Sequence, residues 1–150
     1  MEFTYRLTGT GWAEARVSDQ SSSATVTASY LEDALGVLLE PVGVMLEGAA
    51  EARYSWEEEP GEYRWIFERA GSDMHLRLLA FRDVYSRDPD SKGVVVFETR
   101  QRLREIATAI ADGARAVLNE YGEDEYRRRW VDFPFPLGHL EMIQAHLDVG

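Results

Sequence analysis

Along residues 2–8, "EFTYRLT", Phe3, Tyr5 and Leu7 alternate with Glu2, Thr4 and Arg6, the two-residue period of a strand with one wet face. Gly9, Thr10 and Gly11 permit a tight reversal. "WAEARVS" then sets Ala13, Ala15 and Val17 against Trp12, Glu14 and Arg16, and after the "DQSSS" turn "ATVTA" completes an antiparallel meander. Three more alternating rows follow, Ala52/Tyr54/Trp56, Tyr63/Trp65/Phe67 and Met74/Leu76/Leu78/Ala80, separated by turns at Pro60-Gly61 and Ala70–Asp73. They predict strands sharing one buried face. "VVVFE", residues 94–98, is apolar without alternation and predicts a more interior strand.

The helical period enters twice. Ser29 and Glu32 have the spacing of a capping box and predict a helix from about Tyr30, with Leu31, Leu35, Leu38, Leu39, Val42, Met45 and Leu46 forming its apolar face. Pro41 lacks an amide donor and predicts a kink or two shorter helices. From residue 100 to 121, Leu103, Ile106, Ala107, Ile110, Ala114, Val117, Leu118 and Tyr121 recur at three- and four-residue steps, with Gly122 placed as a C-terminal cap. A short helix around 124–131, a break at Phe133–Pro136 and a last helix over 137–147 complete the chain. The prediction is a single α+β domain, residues 1–150: a mostly antiparallel twisted sheet with two main helices on one face and a short C-terminal helical segment.

Composition narrows the chemistry. The 150 residues include no cysteine, which excludes disulfides, thiolate nucleophiles and cysteine-ligated metals. The start of the chain has neither a basic n-region nor an apolar stretch, and no run approaches the length of a membrane span, so a cytoplasmic protein without membrane contact is expected. A formal charge of -11 repels nucleic acid and draws basic partners.

Catalytic signals are lacking. His75, His139 and His146 are the only histidines, and no compact ligand motif joins them, so neither a metal nor a cofactor is expected. No nucleophile elbow or phosphate loop occurs, and the reading is of a non-enzymatic chain. Glu57, Glu58 and Glu59 beside Pro60-Gly61, together with Glu62 and the Asp88-Pro89-Asp90 loop, form candidate contacts for a basic protein; Trp12 and Trp130 are candidate aromatic anchors. Arg127, Arg128 and Arg129 spread around a helix, whereas Tyr126 and Trp130 share a face and dock it.

"GEYRWIF" (61–67), "GVVVFET" (93–99), "EYG" (120–122) and "YRRRWVDFPFP" (126–136) together resemble small bacterial proteins found among the immunity proteins of polymorphic toxin systems. The resemblance implies a non-catalytic, cytoplasmic domain that neutralises a basic cognate toxin by binding it. Two alternatives stand beside it. One is a small-molecule-binding domain with Trp12, Tyr54 or Trp65 around a cavity between sheet and helices. The other is a structural or oligomeric role, such as a homodimer through a sheet edge.

Overall fold

A computed structural model of the chain describes residues 1–57, 61–83, 87–131 and 133–149. Strands β1 (Glu2–Gly9), β2 (Trp12–Ser18) and β3 (Ser23–Ser29) form an antiparallel meander in the order β1-β2-β3. Tyr5 stands opposite Ala15, and Ala15 opposite Val26. All three are buried, so the alternation read from the sequence is the inward face of this sheet.

Helix α1 (Ala34–Leu46) starts later than the capping box predicts. Its N-cap is Asp33, whose carboxylate accepts the Gly36 N–H at 3.2 Å. Ser29 ends β3 and its hydroxyl donates to the Glu57 carbonyl at 3.4 Å, while the Glu32 carboxylate accepts the Glu57 N–H at 2.5 Å. Both residues of the expected box are thus spent on a neighbouring strand. Pro41 lies inside α1 without ending it, because a proline at that point removes a single intrahelical bond while its ring is buried in the core.

A second antiparallel sheet has the order β4-β5-β6-β7, from β4 (Glu51–Glu57), β5 (Glu62–Ala70), β6 (Asp73–Phe81) and β7 (Val94–Arg102). Trp56, Trp65, Phe67, Met74, Leu76, Leu78 and Phe97 make its inward face. β7 is an edge strand, contrary to the interior position its apolar run predicts. A bulge between Leu78 and Leu79 shifts its register, and Val94 and Val95 are left 66% and 53% exposed. The two sheets share one core, with Phe3 edge-on to Trp65 (ring centroids 6.5 Å), Tyr5 to Trp56 (6.0 Å) and Trp56 to Trp65 (5.0 Å).

Helix α2 (Leu103–Arg129) is one long helix to Tyr121, broken at Gly122 (φ 74°, ψ 167°), with a short helix beyond. That backbone state costs a residue with a Cβ far more than glycine. Arg100–Arg102, expected as the first helical turn, instead extend β7. Helix α3 (Leu137–Val149) buries Leu140 and Ile143. Tyr126 and Trp130 stack at 6.3 Å, and Phe135 meets Tyr126 edge-on at 5.3 Å. The result is an α+β single domain with antiparallel sheets, helices packed on one face and a C-terminal helix. No helix among the described residues is long and apolar enough to cross a membrane.

Candidate functional site

Of the acidic residues singled out in the sequence, Glu57 and Glu62 lie on the outer face of the second sheet, and Asp88 and Asp90 on the segment that crosses it. Alternation sends Trp56, Trp65 and Leu78 inward, so Arg53, Glu57, Glu62, Arg64, Arg77 and Leu79 face outward. Segment 87–93 straps this face. Asp90 reaches Arg64 at 2.8 Å, Arg53 at 3.0 Å and Arg77 at 4.0 Å, and the Asp88 carbonyl accepts from Arg64 at 3.0 Å. The Arg64 guanidinium also covers the Phe81 ring, 4.1 Å from its centroid. Burial would raise the Asp90 carboxyl, but Arg64 and Arg53 outweigh it and hold its pKa below the ordinary value.

Glu62 is only 3% exposed, lies 3.8 Å from Arg64, and leaves one buried oxygen without a hydrogen bond. Glu57 is half-buried, and Asp88 has an exposed side chain. Glu58 and Glu59 lie outside the described residues. Trp130 is 0% exposed and donates its indole N–H to the Glu32 carbonyl at 3.0 Å, so it anchors the short helix to the interior and offers no surface to a partner. Trp12 is 44% exposed. Of the expected contact residues among those described, Trp12 presents an open side chain; the strap and its arginines gather Glu62 and Asp90 into a network.

Glu32 and Asp33 sit where β3 runs into α1, beneath Trp130 and beside the Tyr5–Tyr126 pair. Burial pushes the Glu32 carboxyl up to about 7; the bond from the Glu57 N–H opposes this, and the neighbouring Glu57, Glu62 and Asp33 charges reinforce it. Asp33 is also raised by burial, against the Gly36 N–H and the His139 charge. His75 pairs with Glu98 at 2.6 Å. Among the described residues no group of three or more histidines or carboxylates is arranged to hold a metal.

Trp65 belongs to a buried aromatic cluster between sheet and helices. Trp56 and Trp65 are both 0% exposed and fill the space between sheet and helices, while Tyr54 is half-buried. One opening between a sheet and a helix lies on the flank of this cluster, as a groove of about 520 Å³ between β1 and α2. Gly113 creates it. A Cβ there would stand 2.4 Å from Phe3 Cδ1 and 2.6 Å from the Phe3 carbonyl oxygen, so only glycine lets the helix approach the strand this closely. Eight residues on, the Tyr121 hydroxyl donates to the Leu7 carbonyl at 3.5 Å. α2 therefore runs alongside β1 in the same direction.

With the Phe3 and Leu7 carbonyls both turned toward α2, the alternation of an antiparallel strand turns the backbone of Tyr5 the same way. Phe3 and Tyr5 form the floor. Arg6, Glu14 and Arg16 stand on the sheet wall, and Asp112, Ala116 and Glu120 on the helix wall. The helix-wall residues recur every four positions, a signal present in the sequence. The apolar stripe of the same helix dominates the pattern there, and nothing in the order of residues reveals that β1 lies alongside. Comparison of the chain with protein-family models, with curated proteins and with solved structures returns no match.

Proposed function

We propose that this chain is a non-catalytic binding domain that takes a small molecule into the groove between β1 and α2. One observation carries this reading. The groove, about 520 Å³, falls within the size range of small-molecule sites, roughly 300–1,000 Å³, and combines an apolar floor with a few polar groups on its rim. It also lies between sheet and helix, beside the buried aromatic cluster. A fragment library screened by amide-resolved NMR tests it, using the wild-type chain and Ala116→Trp. Ala116 is exposed, so the indole fills the groove and leaves the core intact. Fragments should shift residues 3–6 and 112–120 in the wild type and lose those shifts in the variant. Hits elsewhere, or hits indifferent to Ala116→Trp, count against the site.

A second reading, protein docking of the kind the immunity-protein resemblance implies, has one observation in its favour. Trp12, Tyr30, Leu31 and Val131 are all about half-exposed. The Gly11 N–H bonds the Arg129 carbonyl, the Tyr30 N–H bonds the Gly11 carbonyl and Trp130 bonds Glu32, which brings these four to one end of the molecule. Co-expression with the products of neighbouring genes discriminates. Loss of complex formation on Trp12→Glu with an unchanged fold supports docking; complexes indifferent to Trp12→Glu reject it.

A further inference from the structure

We propose that the groove is built for an aliphatic diamine, a short alkyl chain with an amine at each end, of which the basic amino acids are the carboxylated form. The inference rests on the groove being the binding site and concerns what enters it.

Asp112 and Glu120 occupy one exposed face of α2, with Ala116 midway between them. Eight residues of helix separate them by about 12 Å along the axis. Neither carboxylate makes an ion pair or a hydrogen bond to another side chain among the described residues. Alanine at the midpoint keeps the wall low and apolar, over the Phe3 and Tyr5 floor. A diamine of butane to pentane length spans the two carboxylates once each reaches inward and accepts a charge-assisted bond of about 2.8 Å. Its methylene chain then lies along the apolar floor, as a lysine stem lies on apolar surface.

The remaining charges fit the same occupant. Arg6 is committed to Glu14 at 3.3 Å, so that pair contributes no net field. Arg16 stands opposite Thr4 in the β1–β2 register, toward the end of the groove where Gly113 meets Phe3, and lines that groove together with Asp112. Among the described residues it has no acidic partner within 4.0 Å. Two arginines against Glu14, Asp112 and Glu120 leave the groove negative, on a chain whose formal charge is already -11. Anions are repelled and cations drawn in. Arg16 gives one specific exception, a carboxylate carried next to the first amine, which is the arrangement of a basic α-amino acid.

Calorimetric and NMR titrations of the wild-type chain with cadaverine, lysine, pentylamine and pentanoate test this. Cadaverine and lysine should saturate with shifts confined to residues 3–6, 14–16 and 112–120. Asp112→Asn and Glu120→Gln should each weaken cadaverine by about threefold to tenfold, leaving it no better than pentylamine. Lysine should bind more tightly than cadaverine, and Arg16→Gln should abolish the difference. If other fragments occupy the groove while cadaverine binds no better than pentylamine or pentanoate, the diamine assignment is wrong and the groove remains a site. Unsaturable shifts spread over the acidic surface also overturn it. If no fragment of any kind enters the groove, the binding reading itself fails.

Discussion

Replacing Glu32 by glutamine isolates the energetic cost of a carboxylate held beneath the aromatic cluster. The Glu32 carboxylate accepts the Glu57 N–H, a role glutamine can also fill, so the substitution removes the charge and keeps the bond. Burial, aided by the neighbouring Glu57, Glu62 and Asp33 charges, raises this carboxyl to about 7. In the unfolded chain it titrates near its ordinary value of 4.5. Between those two values the folded state holds a proton that the unfolded state has released. Stability is therefore fully present below about pH 4, falls as pH rises toward 7, and levels off above. At about 1.4 kcal/mol per pH unit the ceiling is roughly 3.5 kcal/mol. Glu32 is only half-buried, and solvent screening reduces that to about 1–2 kcal/mol.

Urea unfolding followed by tryptophan fluorescence, at pH 4, 5, 6, 7 and 8, measures this directly. Wild type and Glu32→Gln should nearly coincide at pH 4 and diverge until the variant is about 1–2 kcal/mol more stable at pH 8. Asp33 is raised in the same direction and Asp90 lowered in the other, but both are present in each protein and cancel in the difference. A gap that stays constant with pH, or a variant less stable than wild type throughout, would refute the assignment.

Gly113→Ala should lose about 1–3 kcal/mol or more in the same unfolding assay, since the new methyl meets the Phe3 ring and a backbone oxygen that has no rotamer to change. Tyr126→Phe should be neutral or stabilising by up to about 1 kcal/mol, because the Tyr5 and Tyr126 hydroxyls are buried without a completed hydrogen bond; a marked loss of stability would show that the hydroxyl pair is satisfied. Asp90→Ala frees the strap and takes the nearest carboxylate from Arg64, which has only 11% of its side chain exposed and keeps Glu62 at 3.8 Å. A loss of about 1–3 kcal/mol and faster proteolysis within 87–93 are expected, with cleavage elsewhere among the described residues unchanged.

The rows around Trp65 and Leu76 were legible in the sequence because a half-buried antiparallel strand repeats its environment every second residue, and the pattern of Ile106 to Val117 repeats just as regularly on the helix. "VVVFE" misleads for a physical reason: the bulge between Leu78 and Leu79 breaks the alternation, so an apolar run that resembles an interior strand ends as an edge with Val94 and Val95 in water. Ser29 and Glu32 satisfy the spacing of a capping box, yet both serve Glu57, which comes from a strand that local spacing does not encode. The same blindness covers Glu62 and Asp90. Their fate is decided by Arg64 and Arg53, and the folded register across β4 and β5, not sequence spacing, brings those arginines within reach of the strap. The groove was unreadable for the same cause, since its two walls come from opposite parts of the chain.

The contact of Phe3 with Gly113 also sets an order of events during synthesis. The first strand emerges early, but the helix that covers its outer row of carbonyls is made only after most of the other elements have left the ribosome. Until then that row is an open template onto which a neighbouring nascent chain can pair. The interval between completion of β1 and emergence of α2 is therefore when the chain is most open to such pairing.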